Sequence, residues 1–135
     1  MTWRLFLDDD CDGVRRPDIT VDNPAWRVRM NLPAVPPDQT HLGAWVLARS
    51  AEEAVALMKA HGMPSFISFD HDLCDGLDAI SVVHWMIELD LEQPSIPNDF
   101  DFEVHSGNPV GRTNIKGLLY GYLTFRAEAG VHELR

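Results

Sequence analysis

Three polar clusters follow apolar runs in this chain: Asp8-Asp9-Asp10, Asp70-His71-Asp72 and His105-Ser106-Gly107-Asn108. Their residue types suit phosphate chemistry. Carboxylates are the oxygen ligands magnesium takes, one or two at a time together with waters and substrate phosphate. Asp8, Asp9 and Asp70 are therefore the expected neighbours of a divalent metal, with magnesium the expected ion. Histidine titrates near neutral pH, so His71 and His105 are candidates for base and acid in a phosphoester reaction, in either order. Asp70 and Asp72 join them as candidate catalytic groups. Ser106 offers a hydroxyl, Asn108 is placed to cap a helix with Pro109 at its first position, and a helix N-terminus attracts anions. Arg112, in the first turn of that helix, supplies a planar fork for phosphate oxygens.

Taken singly, each residue has a plainer reading. An aspartate after a strand is usually a turn residue or a cap, and a lone histidine such as His84 is usually a satisfied hydrogen-bonding group. The chemical reading depends on the three clusters meeting in space, and the elements that carry them predict that they do. Residues 3–8 read as a short strand. Residues 43–48 form a second apolar run, followed by Ser50-Ala51-Glu52-Glu53, a capping box. Ala51, Ala54, Val55 and Met58 form the stripe of an amphipathic helix that Gly62 and Pro64 stop. Residues 65–69 give a third strand. A helix starting near Asp75 presents Leu77, Ile80, Val83, His84, Ile87 and Leu91 as its inner face. Phe100, Phe102 and Val104 alternate with Asp101 and Glu103, the pattern of a strand with one exposed face at a sheet edge. The last helix carries Ile115, Leu118, Leu119 and Tyr122 inward, with Gly130 as a stop; Gly117 and Gly121 leave room for a close neighbour.

Strands alternating with helices imply right-handed crossovers and a parallel sheet. The expected fold is a three-layer α/β, flavodoxin- or receiver-like sheet in the order 2-1-3-4, over a single domain of residues 1–135. In such a sheet all carboxyl ends share one edge, and ligands bind where the strand order reverses, here between strands one and three. Several carboxylates crowded there repel one another unless a cation sits among them.

Residues 11–42 interrupt this pattern with an irregular insertion holding five of the nine prolines. Residues 19–21 and 26–30 are expected to pair as a small hairpin through Asp22-Asn23-Pro24. The insertion reads equally as a lid or as a structural cover for a sheet edge. Arg15, Arg16, Arg27 and Arg29 give it a basic bias unlike the rest of the chain.

Composition bounds the partners. Eleven Lys and Arg stand against 21 Asp and Glu, a net charge of −10, which argues against a broad nucleic-acid surface but not against recognition of one phosphorylated end. No apolar run approaches the roughly 20 residues that span a bilayer, and the N-terminus lacks a secretory pattern, so a cytoplasmic protein is expected. Two cysteines, Cys11 and Cys74, are too few for a disulfide framework. A zinc site from Cys11, Cys74, His71 and His105 is a competing reading, but it lacks sequence-local ligand pairs; free thiols near the rim are preferred. Asp8-x-Asp10-x-Asp12-Gly13 imitates the start of an EF-hand loop, yet the twelfth position is Ile19, where calcium needs a bidentate Glu.

Two resemblances follow from these motifs. Asp10-Cys11-Asp12-Gly13 is similar to the Asp-x-Asp-Gly motif of haloacid-dehalogenase phosphatases, but the downstream lysine before an acidic pair has no counterpart here. More specifically, Leu7-Asp8-Asp9-Asp10, Ser68-Phe69-Asp70-His71-Asp72-Leu73 and Val104-His105-Ser106-Gly107-Asn108-Pro109-Val110-Gly111-Arg112 resemble the cyclic-phosphate-processing receiver-like family, within the response-regulator receiver superfamily. The match spans roughly residues 3–125, apart from most of the insertion. It implies Asp70 at the phosphoacceptor position of receivers, Ser106 at their switch hydroxyl, and action on cyclic phosphate ends in RNA processing or repair and in conflict systems. A phosphorelay receiver fits less well. Such domains carry an active-site lysine before a fifth strand, whereas the only lysines here are Lys59 and Lys116, both in helices.

The leading expectation is a metal-assisted phosphoesterase acting on the cyclic phosphate of a nucleotide or RNA end. Beside it stand a non-catalytic receiver phosphorylated on Asp70 and a module that holds a nucleotide without turnover.

Overall fold

The structure is a computed structural model and describes residues 3–11, 13, 15–35, 45–70, 73, 79–105 and 108–129. Four short strands, β1 (Arg4–Leu7), β2 (Trp45–Ala48), β3 (Phe66–Phe69) and β4 (Asp101–Val104), pair in parallel in the order β2-β1-β3-β4. This is the expected receiver- or flavodoxin-like α/β arrangement.

Side chains alternate across a sheet, and the two faces are covered by different means. Leu5, Leu7, Ala48, Ile67, Phe69, Phe102 and Val104 point into the main core. There they meet three helices, α2 (Ala51–His61), α3 (Ala79–Glu92) and α4 (Pro109–Glu128), through Ala54, Met58, Val82, Val83, Met86, Ile115 and Leu119. Ser50 caps α2 by accepting from the Glu53 amide at 3.0 Å, and Gly62 ends it at φ 82°, a conformation that favours glycine.

The opposite face carries Phe6, Trp45 and Leu47, covered by Cys11, Val21 and Trp26 of the insertion. Arg4 adds its guanidinium over the Trp45 ring, 4.2 Å from the centroid. The described part of the insertion thus fills the layer a helix would otherwise supply. It contains a 3-10 turn (Pro17–Ile19) and a short helix, α1 (Pro24–Arg29).

The expected hairpin at 19–30 is therefore replaced by helical structure, for local reasons. Asn23 accepts from the amides of Ala25 and Trp26, and Pro24 stands at the first helical position, a helix start that outweighs the β-branched residues nearby. At the other end the amides of Asn31 and Leu32 reach the carbonyls of Val28 and Arg27 with Asn31 at φ 60°, a Schellman closure.

The β4 edge differs from expectation in the same region. Its polar face is not open to solvent. Glu103 is buried and receives a two-pronged contact from Arg27, Nη1 to Oε2 at 2.8 Å and Nη2 to Oε1 at 2.5 Å. Arg27 also donates to the carbonyls of Pro33 and Val21 and is 0% exposed. This pair fastens α1 across the sheet.

Two further expectations are corrected. The buried stripe of α3 is Ala79, Val82, Val83, Met86 and Asp90; His84 and Leu91 face outward. The helix is apolar on so many sides that periodicity leaves its phase open by one residue. Its burial of a carboxylate follows from full pairing: Asp90 accepts from Tyr122 Oη at 2.5 Å, Arg126 Nη1 at 3.0 Å, and the amides of Ser95 and Ile96. Gly117 and Gly121 are exposed with nothing near their missing side chains, so they bring no helix close. The expected stop at Gly130 and the expected helix start at 75–78 lie outside the described residues.

Candidate functional site: an acidic pocket at the carboxyl edge

Register alone brings three of the predicted residues together. Leu7 pairs with Ala48 and Phe69, and Phe69 with Val104, so the next residues, Asp8, Asp70 and His105, fall side by side. The ladder continues one step past the strand ends to hold them. The Asp8 amide donates to Ala48 at 3.0 Å, the Asp70 amide to Leu7 at 2.8 Å, and the His105 amide to Phe69 at 2.9 Å. All three are buried.

The side chains then interlock. His105 Nε2 lies 2.8 Å from Asp8 Oδ2, and since a carboxylate oxygen only accepts, Nε2 carries the hydrogen. His105 Nδ1 lies 2.8 Å from Ser68 Oγ, and the imidazole stacks on Phe6, with ring centroids 4.6 Å apart and planes 5° apart. Both ring nitrogens are engaged by protein groups, and the ring has no freedom to turn. The geometry suits fixing the Asp8 carboxylate better than handing a proton to a ligand. Asp8 Oδ1 in addition accepts from the Asp10 amide at 2.8 Å.

Asp8, Asp9 and Asp70 each offer a carboxylate oxygen within 4.8 Å of the others. Asp70 Oδ2 is buried and accepts no hydrogen bond among the described residues. Burial first, and then the Asp8 charge, push the Asp70 carboxyl above its ordinary range, with His105 and then Arg15 offsetting part of the effect. An all-oxygen donor set with one oxygen lacking a hydrogen bond fits a hard divalent cation.

Arg15 already places a cation here. Its Nη2 is 2.5 Å from Asp9 Oδ1, its Nε 3.3 Å from Asp8 Oδ1 and 3.9 Å from Asp10 Oδ2, and its Nη1 3.6 Å from Asp70 Oδ2. The turn that returns the chain toward the pocket closes through Gly13, whose amide bonds the Asp10 carbonyl. A Cβ there would stand 2.6 Å from Asp10 Oδ1, so a larger residue would have to push the Asp10 carboxylate aside. Sequence reasoning noted the basic bias of the insertion but did not place Arg15 in the site. The available signal was an arginine a few residues after three aspartates. Ser68 was missed as well; its signal was a hydroxyl in an otherwise apolar strand.

The other predicted residues divide as follows. Asn108 caps α4, its Oδ1 accepting from the Gly111 amide at 3.0 Å. Arg112 lies in the first turn of that helix and its guanidinium pairs with no described residue. His71, Asp72, Ser106, Gly107 and Cys74 lie outside the described residues. Cys11 is buried against Phe6 and Val21 rather than at the rim, because it turns under the sheet. With His105 committed to Asp8 and Ser68, the zinc reading loses two of its four ligands. Lys59 and Lys116 are exposed on α2 and α4, so among the described residues the cation in the pocket is an arginine.

A parallel 2-1-3-4 sheet with buried carboxylates at the strand ends, on either side of the order reversal, defines a receiver-like α/β domain. The chain belongs to the cyclic-phosphate processing receiver domain family, whose sequence model matches residues 3–121. Among solved structures it is similar to the response regulator PhyR from Brucella abortus, at 20% identity and a TM-score of 0.42. That alignment takes in all of this chain and 53% of the other, so the chain spans about half of PhyR's length. No curated protein matches. Among the described residues no helix is long and apolar enough to cross a membrane.

Proposed function

We propose that the pocket processes a cyclic phosphate on a nucleotide or an RNA end, as a metal-assisted phosphoesterase. The observation that carries this reading is the convergence of Asp8, Asp9 and Asp70, with one buried oxygen left without a hydrogen bond, in a chain of the cyclic-phosphate processing family. Asp8, Asp9 and Asp70 would hold the ion, magnesium by the chemistry of the donors. When bound, it neutralises charge on the phosphate.

The chain's own residues do the rest. His105 and Ser68 keep the Asp8 carboxylate in one orientation. Arg112 and Asn108 are assigned to the phosphate oxygens by their place at the start of α4, and Ser106 by its place two residues before Asn108 in the sequence. Opening the ring requires a water to lose a proton as it attacks phosphorus and the departing ribose oxygen to gain one as the P–O bond breaks. His71 and Asp72, adjacent to Asp70 in sequence, are the groups assigned to that exchange. His105, assigned to it on sequence grounds, is better suited to orienting Asp8.

A panel of 2′,3′-cyclic nucleotides, incubated with and without magnesium and resolved by chromatography, tests the reading. Magnesium-dependent conversion to a monophosphate supports it, and no conversion of any member rejects it.

The Asp70 oxygen that accepts no hydrogen bond favours a second reading, a receiver that takes a phosphoryl group on Asp70. Incubation with a small phosphodonor followed by intact mass measurement separates the two. A persistent acid-labile adduct without turnover of cyclic nucleotides supports the receiver.

A further inference from the structure

We propose that Arg15 is a tethered counter-cation of the acidic pocket, which a divalent metal must displace in order to bind. The inference rests on the metal-site reading above and assigns this chain its own competitor for that ion.

The guanidinium reaches the three carboxylates of the candidate cation site through three different nitrogens: Nη2 to Asp9, Nε to Asp8 and Nη1 to Asp70. These are the carboxylates whose oxygens lie within 4.8 Å of one another. A planar group hydrogen-bonded to Asp9 and ion-paired with Asp8 and Asp70 takes the volume an ion would use, so the two cannot share it. Charge points the same way. The Arg15 guanidinium brings one positive charge to Asp8, Asp9, Asp10 and Asp70, whereas a compact doubly charged ion compensates more of that repulsion at shorter range.

Arg15 is also the cation free to leave. Its side chain is 45% exposed, while Asp8 and Asp70 beneath it are 0% and 6% exposed. Arg27, in the same insertion, shows the contrasting case: it is fully buried, with a bidentate carboxylate and two carbonyl acceptors. Breaking a half-exposed ion pair costs little because water replaces it, but removing a buried one strands a charge. The insertion therefore carries one fixed arginine and one displaceable arginine. The second keeps the pocket's charge partly compensated until metal arrives.

The test is calorimetric titration of the whole chain with magnesium and with manganese, for the wild type, Arg15→Gln and Arg15→Lys. Removing the competitor is expected to tighten metal binding by about tenfold in Arg15→Gln, with Arg15→Lys between the two. A merely structural role for Arg15 would weaken binding or leave it unchanged, and either result overturns the proposal while wild-type metal binding stands. Absence of binding in all three proteins would instead reject the metal site and this inference with it. A second readout needs no variant. The Arg15 side-chain Nε–H resonance of the wild type should move to the position of a free arginine at saturating magnesium, and a resonance that stays put overturns displacement.

Discussion

At the scale of single residues, the pocket is a balance between a buried, like-charged set of carboxylates and the groups that hold them. Asp70 carries most of the cost. Its carboxyl is buried and faces Asp8, so the folded state disfavours the charge that neutral pH imposes. Asp70→Asn is expected to raise metal-free stability in urea unfolding and to abolish metal binding. A less stable variant would mean that the charge is already compensated. His105 is separable from the proton carriers by a similar comparison. With both ring nitrogens bound to Asp8 and Ser68, His105→Ala should weaken metal affinity by loosening Asp8. A variant that loses turnover but keeps wild-type metal affinity would restore His105 to the proton chemistry.

At the scale of elements, two buried charged assemblies tie the layers together. Arg27 and Glu103 fasten α1 to the polar face of β4. Arg27→Ala should cost about 3–5 kcal/mol, since it leaves the Glu103 carboxylate buried without its partner. The double variant Arg27→Met with Glu103→Leu should recover most of that loss in the same denaturation experiment. On the other face Asp90 joins α3, α4 and the loop at 95–96. Burial alone would raise its pKa, but Tyr122, the two amides and Arg126 outweigh it, and the net direction is downward from 3.8. A depressed carboxyl contributes stability above its unfolded pKa and loses it as pH falls through the folded one. Acid unfolding should therefore show an Asp90 contribution below about pH 4. A profile for Asp90→Asn that parallels the wild type there would remove Asp90 from the acid response.

The elements also show what was legible in the sequence and what was not. Strand positions, the 2-1-3-4 order, the Ser50 and Asn108 caps and the meeting of Asp8, Asp70 and His105 could all be read, because each depends on local chemistry or on the register of a parallel sheet. The insertion could not. Ile19-Thr20-Val21 and Val28 favour strands locally, and only the Asn23-Pro24 start and the Asn31 closure decide for a helix. Glu103 looked solvent-facing because its partner, Arg27, lies 76 residues away. The α3 phase failed for the same reason: nothing near Asp90 in sequence announces Tyr122 and Arg126.

At the scale of the whole molecule, a net charge of −10 and a sheet edge that gathers buried carboxylates favour cations over anions at this pocket, so the proposed phosphate chemistry would need the proposed cation first. The central claim is that Asp8, Asp9 and Asp70 form one cation site out of segments some sixty residues apart in sequence. Manganese titration followed by amide NMR tests it most directly, because the paramagnetic ion broadens only nearby resonances. The account predicts saturable broadening of the amides of Asp8, Asp9, Asp70 and His105 together, reversed by excess magnesium. Broadening confined to one strand end, or spread without saturation over the acidic surface, would contradict it.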